Sequence, residues 1–155
     1  MPSSAAALYA LTNALQPVRR AWQQAAAVAL ADSGLSVSLA TAVLLVHRLG
    51  DGVQQKVLAA EIGVNPAAMM RTLDQAQAAA LLKRCEVPGN RRARAIHILP
   101  EGRRLAVKME QALAAMRAAV LGDIPPKDIE ITTRVLRQFE DRANEHLKQQ
   151  RTRLP

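Results

Sequence analysis

Residues 53–99 read "VQQKVLAAEIGVNPAAMMRTLDQAQAAALLKRCEVPGNRRARAIHIL", and three short signals inside them decide the fold. Gly63 can end a helix that carries Val57, Leu58 and Ile62 on its apolar side. Two residues later Asn65 can cap a new helix with Pro66 in its first position, where a missing N–H costs nothing. Val87-Pro88-Gly89-Asn90 has type II turn chemistry, because proline presets φ at the second position and glycine accepts positive φ at the third. The segment "LLKRCEV" can run extended into that turn. Beyond it Ile96 and Ile98 alternate with Ala95 and His97, as expected for a half-buried strand. The order is helix, three-residue turn, helix and hairpin, which is that of a winged helix-turn-helix.

Within the second helix Met69 and Leu73 stand four apart and belong to a core-facing stripe. That leaves Ala67, Ala68, Met70, Arg71 and Gln75 for the exposed face. Arg71 has two readings, an intrahelical ion pair with Asp74 or a contact to phosphate or guanine. Gln54 and Lys56 open the preceding helix, at a place where a backbone phosphate can sit. Arg91, Arg92 and Arg94 crowd the hairpin tip, where like charges repel unless an anion meets them.

Outward from this centre the pattern changes. Residues from about 5 to 31 are rich in alanine and leucine, interrupted by Pro17, which is expected to kink or split the helix. A short helix over "LATAVLLVHRLG" closes at Gly50. After the hairpin, "PEGRRLAVKMEQALAAMRAAVLG" and the segment from Pro126 onward, with Ile129, Val135, Leu136, Phe139 and Leu147 as apolar points, read as two long helices. Seventy central residues leave little room for them in one core. They are better explained as packing on a second copy of the chain, since small side chains permit close helix approach. The 155 residues are therefore read as one domain, mainly α, with a two-stranded wing. Residues 35–104 form the winged core, and residues 1–34 and 105–155 supply dimerisation helices.

Charge supports the same division. Lys and Arg number 21 against 13 acidic residues, a formal net charge of +8. Residues 35–104 hold ten of those cations and five of the acids, so most of the excess lies in the middle and points to a polyanionic partner. The single cysteine, Cys85, cannot form an internal disulfide, which fits a reducing compartment. No apolar run reaches the length of a membrane span and the N-terminus lacks the order of a secretory signal, so a cytoplasmic protein with no membrane partner is expected. His47, His97 and His146 are scattered and lack metal-ligand spacing, so no metal is expected. No glycine-rich phosphate loop, nucleophile with a matching base or paired carboxylate presents itself, which argues against an enzyme and against a cofactor.

The run "KVLAAEIGVNPAAMMRTLDQAQAAALLKR", followed by "VPGNRRARAIHILPEGRRL", resembles the winged helix-turn-helix core of the MarR (multiple antibiotic resistance regulator) family, and the flanking helices match its order. The resemblance implies a homodimer, a recognition helix in the major groove of double-stranded DNA, a wing arginine in the minor groove and, in many members, release of DNA by a small-molecule effector. Arg92 keeps the arginine of the family's Asp-x-Arg wing motif, while Asn90 replaces the aspartate. Ala80 stands where a glycine is usual before the first wing strand, and Pro100 where a threonine follows the second. Ala67, Ala68 and Met70 replace the usual serines and threonines, so they offer no hydrogen-bond donors.

The reading is a ligand-responsive repressor on a pseudo-palindromic site, with half-sites about ten base pairs apart. Direct readout then rests on Arg71 against guanine and Met70 against thymine methyl groups. Two alternatives stay open: a dimeric ligand-binding or protein-interaction module whose DNA-reading helix has decayed, and a regulator that senses oxidation through Cys85.

Overall fold

Capping chemistry fixes where the elements begin and end in the computed structural model, which describes residues 4–153. Helix α1 spans Ser4–Leu30, and a short 3-10 turn follows over Ala31–Ser33. Helix α2, Val37–Leu49, starts at Ser36, whose hydroxyl oxygen accepts from the Leu39 N–H at 3.3 Å. Strand β1 is Val53–Gln54 and helix α3 is Gln55–Ile62. Helix α4, Pro66–Ala78, opens as expected: Asn65 Oδ1 accepts from the Ala68 N–H at 2.9 Å, and Pro66 takes the first position. Strands β2, Leu82–Val87, and β3, Asn90–Ile98, form the hairpin; α5 covers Pro100–Leu121 and α6 Pro126–Arg153.

The chain divides into two units after Met116. In the first, Leu58 from α3, Met69, Leu73 and Ala76 from α4, and Val43 and Val46 from α2 close on Leu81, Leu82, Ile96 and Ile98. Helix α5 adds Gly102, Ala106, Met109 and Leu113, one stripe at helical spacing. Arg48 of α2 makes a two-point ion pair with Glu110 of α5. The second unit contains the end of α5 and α6, and it leaves Ile131, Val135, Leu136 and Leu147 exposed.

Three expectations are corrected. Helix α1 is not split at Pro17, which lies where neighbouring residues face solvent and the carbonyl deprived of its partner can be hydrated. Val53 and Gln54 belong to a strand rather than a helix: Val53 pairs with Ile96 and Gln54 with Ala95, so the sheet is three-stranded in the order β1-β3-β2. Val57 is 40% exposed while its neighbour Leu58 is fully buried, because successive helical residues point about 100° apart and the inward direction is that of Leu58 and Ile62. In β2, Cys85 pairs with Ala95 and is only partly buried.

The passage from α4 to β2 is tightly built. Ala80 N–H donates to the Gln77 carbonyl at 3.0 Å and Leu81 N–H to the Ala76 carbonyl at 2.9 Å, the two bonds of a Schellman ending. That ending puts Ala80 at φ +55°, a left-handed conformation in which a Cβ crowds the following carbonyl. Leu81 then accepts from the Leu99 N–H at 2.9 Å, and Gly102 passes so close that a Cβ there would stand 2.2 Å from the Leu81 oxygen. The "PEG" after the wing thus supplies a helix start at Pro100 and bare backbone at Gly102. Ala80→Gly should raise stability by about 0.5–1 kcal/mol, since relief of left-handed strain outweighs the added freedom of the unfolded chain. Urea denaturation of both proteins measures it, with the slope unchanged.

Candidate nucleic-acid interface

The wing is longer on one side than on the other. Strand β2 pairs with β3 from Leu82 with Ile98 up to Glu86 with Arg94, and then Val87 pairs with Asn90. Arg91, Arg92 and Ala93 are left without partners in β2, so they bulge from the ladder beside the turn. Gly89 sits at φ +78°, as the type II turn requires. Asn90 Oδ1 accepts from the Arg92 N–H at 3.1 Å, so the residue in the family's aspartate position ties down the tip through backbone.

The three arginines of the tip are not equivalent. Arg94 folds back: its Nη1 donates to the carbonyls of Arg91 at 2.7 Å and Ala93 at 3.0 Å, and its Nη2 lies 3.5 Å from Glu86 Oε1. It serves as an internal brace for the bulge. Arg91 and Arg92 are exposed, and among the described residues their side chains make no ion pair or hydrogen bond. Their donors are available to an external anion.

Helix α4 presents Ala67, Ala68, Arg71 and Gln75 to solvent. The ion pair between Arg71 and Asp74 does not form, because Asp74 is taken by Arg84 of β2. Met70 is 42% exposed, yet its sulfur accepts from Gln55 Nε2 at 3.2 Å and Arg84 Nη1 at 3.4 Å. Gln54 caps α3 through backbone geometry without a side-chain bond, and it and Lys56 are exposed at the start of that helix. Arg84 was not among the sequence candidates. Alternation offered the signal, since two residues on from buried Leu82 the strand returns to its inner face.

Behind the wing, Asp51 clamps β3. Its Oδ1 accepts from the Ile98 N–H at 2.8 Å and its Oδ2 lies 3.1 Å from His97 Nδ1, which must carry the proton of that bond. The His97 hydrogen bond and then the Ile98 N–H hold the Asp51 carboxyl below its usual range.

No family model matches the sequence. Among solved structures, the transcriptional regulator PA3341 is 27% identical, with a TM-score of 0.80 over 87% of this chain and 98% of its own. A MarR-family transcriptional regulator from Rhodococcus sp. RHA1 is 25% identical, with a TM-score of 0.74 over 83% of this chain and 91% of its own. The chain shares the fold of the MarR-family transcriptional regulators. CouR from Rhodococcus jostii RHA1, solved with p-coumaroyl-CoA bound, shares the fold at 23% identity and a TM-score of 0.71, covering 83% of this chain and 90% of its own. Its three-stranded sheet, hairpin and α4 match the winged core of that fold.

The Asp51 clamp gives this wing a pH signature. A carboxylate whose folded value is lowered contributes stability that is present above its unfolded value and is lost as pH falls through the folded one. Asp51→Asn should cost about 1 kcal/mol near neutrality, as for a partly exposed charge-assisted bond. The gap between the two proteins should shrink below about pH 4, which chemical denaturation across that range will read.

Proposed function

We propose that the chain is a homodimeric, ligand-responsive repressor that binds a pseudo-palindromic duplex through α4 and the wing. The observation that carries this reading is the division of labour at the wing tip: Arg94 braces the bulge, and Arg91 and Arg92 are left outward with donors unspent. Two adjacent uncompensated guanidiniums repel each other in the free protein, and a polyphosphate backbone relieves that repulsion. Arg71, freed from Asp74, supplies a fork of donors for guanine on α4, and Ala67 and Ala68 permit close approach of the helix start. Gln54, Lys56 and Gln75 flank this surface.

Dimerisation is supported by the apolar side chains that α1 and α6 each leave in water. Leu8, Tyr9, Val18 and Val28 of α1 are more than 60% exposed, and Leu147 of α6 is 53% exposed. Such faces are covered in a stable protein, and a second copy of the chain brings matching ones.

An effector site is supported by a cleft of about 290 Å³ between the end of α1 and α5, lined by Leu30, Leu105 and Met109 together with Asp32, Arg104 and Lys108. Mixed apolar and charged walls suit a small organic ligand with polar groups. CouR, of the same fold, was solved with p-coumaroyl-CoA bound.

Arg92→Ala should weaken binding to every duplex to a similar degree and reduce the slope of log affinity against log salt by about one unit. Arg94→Ala should instead lower thermal stability, through loss of the brace. Titration of labelled duplex at several salt concentrations, with melting curves, separates the two; an unchanged slope for Arg92→Ala would sink the role given to the wing. The full chain should sediment as a dimer at micromolar concentration, and a monomer there would overturn the assembly.

A further inference from the structure

Met70 is the one large apolar side chain that α4 exposes, and its sulfur is held from two sides. A methionine with free torsions adapts to whatever surface it meets, which gives contact without discrimination. Here Gln55 of α3 donates to the sulfur at 3.2 Å and Arg84 of β2 at 3.4 Å. The other arm of the Arg84 guanidinium pairs with Asp74, four residues on from Met70 along the same helix. The Arg84 main-chain N–H also meets Gln77 Oε1 at 3.4 Å, so Met70, Asp74 and Gln77 form a row on α4 that faces β2. The Arg84 side chain is only 21% exposed.

We propose that Arg84 is a positioning residue for base readout: with Gln55 and Asp74 it fixes the thioether of Met70, so that this side chain presents a defined apolar surface to the thymine C5-methyl group. The inference rests on α4 being the helix that enters the groove. Arg84 itself touches no DNA, because both arms of its guanidinium are engaged within the protein. Its effect on sequence preference passes through Met70, and its effect on phosphate binding is nil. The same arginine joins the recognition helix to the first strand of the wing, so the methyl reader keeps a set distance from the wing tip.

The test uses the full chain and a duplex selected by it from a random-sequence pool, with each thymine replaced in turn by deoxyuridine. The wild type should lose about three- to fivefold in affinity at the thymine that Met70 reads, the worth of one buried methyl group. Met70→Ala should abolish that difference. Arg84→Lys, which keeps the charge but not the planar fork, and Asp74→Ala, which leaves Arg84 in place, should each reduce it below about twofold with the salt slope unchanged. Melting curves and circular dichroism confirm that the variants are folded, and the second variant stands in if the first is not. Retention of the full thymine preference in both variants overturns the proposal, as does a lowered salt slope in Arg84→Lys, which would make Arg84 a phosphate contact. A wild type that binds duplex tightly without any preference for thymine over deoxyuridine overturns it too. A wild type that selects no duplex at all removes the regulator reading itself, a result visible before any variant is made.

Discussion

The carbonyl oxygen and N–H of Leu81 hold the winged core in register. The N–H closes the end of α4 on Ala76, and the oxygen receives Leu99 at the base of the hairpin. The first turn of α5 crosses the same carbonyl at a distance that only Gly102 permits. One buried residue therefore sets the exit of α4, the start of the wing and the entry of the long helix that follows. A backbone group buried at such a junction must be paired, and here its pairing partners are the elements that make up the winged core. The strain at Ala80 is part of the same arrangement, since the left-handed turn is what swings Leu81 into place.

The parts of this core that could be read in advance are those specified by neighbours in sequence. Asn65 and Pro66 start α4, Pro88 and Gly89 turn the hairpin, and both act within four residues. Strand β1 escaped because two residues have no periodicity; Val53 and Gln54 are extended only because Ile96 and Ala95 pair with them. The same distance effect hid Arg84. Nothing local links it to Asp74 ten residues earlier, and helical spacing offered that aspartate to Arg71 as one of two readings. Tertiary pairing takes the aspartate and leaves Arg71 unengaged. At the tip, the sequence shows a cluster of arginines but not that Arg94 turns inward, because that depends on the bulge bringing two carbonyls within its reach.

Polar groups in this molecule are spent in a consistent way. Asp51, Arg84 and Arg94 each have several partners inside the protein, and each joins two segments or braces one. Arg91, Arg92 and Arg71 have none among the described side chains and lie on exposed positions. Rigid support beneath unengaged donors is the arrangement that binding favours, because the donors then lose little freedom on meeting an anion and the scaffold does not have to reorganise.

The bulge of Arg91, Arg92 and Ala93 has a further consequence for how such a wing can diversify. Pairing is fixed independently on its two sides, by Leu82 through Glu86 against β3 and by Val87 against Asn90. Residues gained or lost between those anchor points alter the reach of the tip without slipping the strands, and so without turning Ile96 and Ile98 out of the core. The segment is a length reserve: the tip can lengthen or shorten there while the body of the protein stays the same.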